Sequence, residues 1–154
     1  MANFFRRGTL LIPSGPPSDP DRKHLHIICT DPDAHGSQVL VSARSWYDGC
    51  DTTCVLRFGD HDWLWKDKSF IDYGFASIKM HSLLIQRVQD RTFSTSWDMN
   101  GQAFLKICRG IERSPYTPQS VLRHYHQFCA AQALARDASN AKTSRKRRSY
   151  QEIS

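Results

Sequence analysis

Apolar and polar residues alternate in short runs through the first ninety residues, and the period changes afterwards. HLHIICTD, QVLVSARSW, TCVLRFGDHDW and FIDYGFASIK follow one another between Lys23 and Lys79, with almost no helical pattern between them. Leu25, Ile27 and Cys29 alternate with His24, His26 and Ile28, the period of two of a strand with one face in a core. The pattern predicts strands over residues 4–12, 24–30, 39–46, 52–58 and 71–80, and a sixth over 83–88. Pro13 ends the first, and residues 14–22 (SGPPSDPDR) form a long loop before the second. Trp63-Leu64-Trp65 is apolar enough that at least one ring should plug the core.

After Thr95 the spacing becomes helical. Phe104, Leu105, Ile107, Cys108 and Ile111 recur on one face after the polar Asn100, and Gly110 weakens that helix near its end. Thr117 can cap a second helix with Pro118 in its first turn. Val121, Leu122, Tyr125, Phe128 and Cys129 give that helix a packing stripe. The fold class expected is mainly β with C-terminal helices. Residues 1–95 form a small β-barrel, residues 96–137 a helical extension packed on it, and residues 138–154 a disordered basic tail.

Charge changes this picture less than its total suggests. The net charge is +6, but the residues from Arg136 onward hold six basic and two acidic side chains. Residues 1–135 hold fifteen and thirteen, so the folded part must rely on local charge. The tail reads either as a non-specific phosphate contact or as a solvated extension. No apolar run is long enough to span a bilayer, and MANFFRRGTLLIP lacks the order of a signal peptide, so a cytoplasmic protein is expected. Five cysteines without a secretory signal argue against a disulfide framework. Cys29, Cys108 and Cys129 sit in apolar runs. Cys50 and Cys54 have zinc-like spacing only if His61 and His35 join them. Cys54 alternates with Leu56 and Phe58 and so points inward, and no metal site is assigned.

The strand ends carry the chemistry. Cleaving RNA without metal needs a base for the ribose 2′-OH, an acid for the departing 5′ oxygen, and cations for the phosphoryl oxygens. Lys23 opens the second strand, Arg44 and Ser45 close the third, and Asp60 and His61 follow the fourth. These five are the candidate catalytic residues, with His61 (and Asp60) as acid or base. Each also has a bland reading: Gly59-Asp60-His61-Asp62 is a good turn sequence, Ser45 can cap the next loop, and Arg44 can be an exposed strand residue. His24 and His26 read as structural, and His124 and His126, two apart on a helix, do not face the same way. Trp46 and Tyr47 could stack on unpaired bases or cover the rim of the sheet, and Arg22 joins them as a candidate RNA contact.

Taken in order, these segments resemble the PemK/MazF class of toxins from toxin–antitoxin pairs, over roughly residues 5–90. FFRRGTLLI resembles the family's opening strand with its Arg-Gly step, and the Pro/Gly-rich loop to Arg22 its flexible first loop. KHLHIICTD resembles the Arg-Pro-apolar strand and puts Lys23 where an active-site arginine is expected. LVSARSW resembles the strand ending in a hydroxyl residue, here Ser45. CVLRFGDHDWL and FIDYGFASIK resemble the later strands. The resemblance implies an SH3-like barrel, usually dimeric, that cuts single-stranded mRNA at short sequences without metal or other cofactor. The products are a 2′,3′-cyclic phosphate and a 5′-hydroxyl. Its implied partners are single-stranded RNA, a cognate antitoxin protein and a second copy of itself. The family's Arg-Pro is Lys23-His24 here, and Ser45-Trp46 stands where paired threonines are frequent. The alternative function is a non-catalytic module that binds nucleic acid or protein on the same barrel.

Overall fold

A computed structural model describes residues 2–152, with side chains described through residue 149. Seven strands form one antiparallel sheet: β1 (Thr9–Pro13), β2 (Lys23–Ile28), β3 (Ser37–Ser45), β4 (Val55–Arg57), β5 (Lys68–Ile71), β6 (Ser77–Met80) and β7 (Ser94–Ser96). Their order is β4-β5-β3-β2-β1-β7, with β6 also on β3. The nine residues of β3 are long enough to pair with β6 at one end and β5 at the other, and with β2 along the middle. The body is mainly β as expected, but the barrel is not closed. β4 and β7, the two ends of the strand order, do not pair among the described residues.

Both faces of the sheet are covered. Alternation along β2 and β3 sends Leu25, Ile27, Val39, Val41 and Ala43 into a large core shared with helices α2 (Gly101–Arg113) and α3 (Gln119–Glu152). The other face supplies Leu10, Ile12, Ile28 and Leu40, which pack with Leu84 of helix α1 (His81–Gln89). A sheet covered on both sides explains why His26, on the nominally polar register of β2, is buried.

Several expected elements differ. Residues 83–88 belong to helix α1, not to a sixth strand, since a short apolar run suits either conformation until its neighbours are known. The strand expected over 71–80 is broken by a 3-10 turn (Tyr73–Phe75) between β5 and β6. Leu64 is the core plug between Trp63 and Trp65, and both rings lie outside. Thr117 makes no capping bond, its buried hydroxyl having no partner. Residues 138–152 of the expected disordered tail continue α3, exposed through residue 149, and residues 153–154 lie outside the described residues. An ordered first turn supplies the nucleus, after which alanine, lysine and arginine extend a helix at little cost.

Two glycines follow from close contacts. Arg7 has a positive φ of 73°, and a Cβ on Gly8 would sit 2.2 Å from the Asn3 carbonyl oxygen, which gives the Arg-Gly step its local reason. On α2, capped by the Asn100 side chain, a Cβ on Gly110 would lie 1.8 Å from the Tyr73 hydroxyl. That hydroxyl donates to the Ile107 carbonyl at 2.7 Å, so Gly110 makes room for a buried tyrosine.

Candidate nucleic-acid interface

The ends of β2 and β3 meet the loop of residues 61–66 around an open cleft of about 190 Å³. The register fixes the first two members. Leu25 pairs with Ala43, so Lys23 and Ser45, each two residues further out, emerge side by side on the same sheet face. Arg22, Arg44 and Lys66 complete four cations on the cleft wall, and no carboxylate lines it. Ser45 Oγ accepts a hydrogen bond from Lys66 Nζ at 3.0 Å, which leaves the serine proton free to donate. The strand termini thus bring Lys23, Arg44 and Ser45 together with Arg22.

Arg44 is held before any ligand arrives. Its Nε stands 3.2 Å from the Asp72 carboxylate, and its guanidinium lies 4.6 Å from the centroid of the Phe75 ring. The pair is a charge contact without hydrogen-bond alignment, so Nε keeps an unused donor. Burial raises the Asp72 pKa, while the neighbouring Arg44 charge acts in the opposite direction.

Asp60 and His61 are elsewhere. Asp60 closes a turn: its carboxylate accepts from the Arg57 amide at 2.8 Å, and Gly59 beside it takes φ +95°. His61 is buried, with 5% of its surface exposed. Its Nδ1 accepts from the Trp63 amide at 2.9 Å. Nε2 therefore carries the hydrogen and points it at the Trp97 carbonyl (2.7 Å) and the Thr9 hydroxyl oxygen (3.1 Å). All its capacity is spent on tying the 61–66 loop to β1 and the segment after β7. Neither residue lines the cleft.

The aromatic neighbours also differ from expectation. Trp46 and Tyr47 are outside the cleft: Lys68 Nζ lies 5.1 Å from the Trp46 ring centroid, and Tyr47 packs edge-on against Phe70. Trp63 and Trp65 line it instead, 43% and 74% exposed. Their polar flanks, Asp62 and Lys66, were the available signal that this apolar triplet turns outward around Leu64. Lys66 and Ser69 also line it without having been singled out in the sequence, and so does His24, which read as structural.

His124 and His126 part company as expected, His124 Nε2 lying 3.5 Å from the Asp33 carboxylate and His126 Nε2 3.2 Å from Glu112. Cys54 is in the core, and Cys50 is buried as well. Among the described residues, no group of three or more His, Cys, Asp or Glu side chains could hold a metal ion. No helix among them is long and apolar enough to cross a membrane. Compared with known proteins, the chain matches no family model, no curated protein and no solved structure.

Proposed function

We propose that the cleft binds single-stranded RNA and cuts it as a sequence-selective, metal-independent endoribonuclease of the toxin type. The observation that carries this reading is the gathering of four cations and a serine hydroxyl, with no carboxylate, beside two exposed tryptophans. Phosphodiester oxygens suit the first group, and unpaired bases suit the tryptophan faces. Lys23, Arg22, Arg44 and Lys66 stabilise charge on the phosphate, and Ser45 donates to one of its oxygens. The resemblance to the PemK/MazF class supports the choice of reaction, since it assigns the phosphate-binding cation and the hydroxyl to Lys23 and Ser45. The same positive cleft suits an acidic antitoxin segment competing with RNA, and the active form is a homodimer.

The test is incubation of the purified chain with long single-stranded RNA in EDTA. Cuts at a recurring sequence, ending in 2′,3′-cyclic phosphate and lost in Lys23→Ala and Ser45→Ala, are expected. Tight binding of RNA with no cleavage would leave a binding module and refute the enzyme.

A further inference from the structure

With His61 committed elsewhere, the cleft needs another base to take the ribose 2′-hydroxyl proton. His24 lines the cleft, and its ring is held from behind. Ser14 Oγ lies 2.8 Å from His24 Nδ1 and 3.4 Å from His26 Nε2, and it donates to the Ile12 carbonyl at 3.1 Å. A hydroxyl has one proton and two lone pairs. The Ile12 oxygen can only accept, so the serine proton goes there and Ser14 accepts from the rings. His24 Nδ1 therefore carries the hydrogen, and Nε2 keeps its lone pair. Ser14 is fixed in turn, its amide donating to the Arg22 carbonyl at 2.9 Å. The register makes this arrangement local: Ile12 faces His24 across the β1–β2 ladder, and Ser14 follows two residues later.

The charges facing His24 favour the free base. Burial, then Arg44 on β3 and Arg22 in the preceding loop, hold its pKa below the ordinary histidine value. Lys23 and Lys66 in the cleft add like charge, and Asp72 is engaged with Arg44. His26 is driven further, to about 3, by burial first and then by Lys79, His24 and Arg44. It does not compete for a substrate proton at neutral pH.

We propose that His24 is the general base of RNA cleavage in this cleft, with Ser14 as its positioning residue. This rests on the endoribonuclease reading and adds the proton acceptor that reading lacks. The ribose 2′-OH gives its proton to His24 Nε2 as the 2′ oxygen forms a bond to phosphorus. The bond from phosphorus to the 5′ oxygen breaks, and that oxygen takes a proton from an ammonium group of the cleft, Lys23 or Lys66. Solvent then removes the proton from His24 and restores the one lost by the amine. Lys23 and His24 both line the cleft, so a base and an acid stand at the same strand end to serve one phosphate.

The experiment compares wild type, His24→Ala, Ser14→Ala and Ser14→Thr on long mixed-sequence single-stranded RNA in EDTA. Single-stranded DNA of the same sequence, which lacks the nucleophile, reports binding alone. His24→Ala should cut about 10²–10⁴-fold more slowly, bind the DNA as wild type does, and recover cleavage in added imidazole. Ser14→Ala should lower kcat with KM unchanged and move the acid limb of the pH profile to lower pH, because an acceptor on Nδ1–H has been lost. Ser14→Thr should restore both. Wild-type rates in His24→Ala, or a loss that imidazole does not restore, would overturn the assignment of the base while leaving the endoribonuclease in place. A wild-type protein that cuts no RNA would overturn both.

Discussion

His61→Ala separates a structural histidine from a catalytic one. The imidazole receives the Trp63 amide and donates toward Trp97 and Thr9, all in a site with 5% exposure. Removing it strands the Trp63 amide, at about 1–3 kcal/mol, and deletes the bond to Trp97, worth about 1 kcal/mol. Thr9 and Trp97 partly compensate each other, since the Thr9 hydroxyl already donates to the Trp97 carbonyl. A net loss of about 3 kcal/mol is expected, equivalent to a fall in Tm of roughly 6–12 °C for a domain of this size. Urea denaturation followed by circular dichroism measures it, with cleavage assayed well below the lowered Tm. The variant should be much less stable and still cut RNA. A variant of wild-type stability without cleavage would refute this account and return His61 to the chemistry.

Gly110→Ala drives a methyl group into the Tyr73 hydroxyl and should cost about 1–3 kcal/mol in denaturant titration, where an alanine in an open helix position would stabilise. The depressed pKa of His26, about 3 in the folded protein against the ordinary 6.5, means that the unfolded chain binds the extra proton between those values. Stability from this group is therefore complete above about pH 6.5 and declines by up to about 1.4 kcal/mol per unit as pH falls towards 3. His26→Gln should flatten that part of the stability profile relative to wild type. Deleting residues 138–154 should leave the melting curve of the body unchanged, because residues 133–149 of α3 are exposed throughout, and should weaken binding to single-stranded RNA chiefly at low salt. An unchanged salt dependence would rule out the basic end of α3 as a phosphate contact.

Much of the sheet was legible because its strands obey a period of two. The Leu25–Ile27–Cys29 face and the Val39–Ala43 run both land in the core, and the apolar spacing of Phe104, Ile107, Cys108 and Ile111 gives α2 its buried side. Residues 83–88 were not legible, because Leu84 and Val88 satisfy helical spacing within a run too short to exclude a strand. β7 carries only Ser94-Thr95-Ser96, and its strand identity comes from pairing with β1 rather than from its side chains. In the candidate site, Lys23, Arg44 and Ser45 were readable as ends of neighbouring strands. Whether a loop residue turns inward was not readable, and that decides His61 against Trp63, Trp65 and Lys66. Composition cannot distinguish a histidine that completes a turn from one that faces solvent, since the difference lies in the Trp63 amide and the Trp97 carbonyl.

The pairing of β1 with β7 also has a consequence for synthesis. Leu11 pairs with Ser94, and Arg7 exchanges hydrogen bonds with Met99, its amide-linked carbonyl accepting from the Met99 amide and its Nε donating to the Met99 carbonyl. β1 must therefore wait for Ser94–Ser96 to be made before its outer edge is covered. The hairpin-like β2–β3 pairing that frames the cleft can form far earlier, from residues within about twenty positions of one another. On the ribosome, the basic wall can thus exist before the amino-terminal edge is sealed. During that interval the exposed β1 edge is the place where a chaperone strand or another nascent chain can pair.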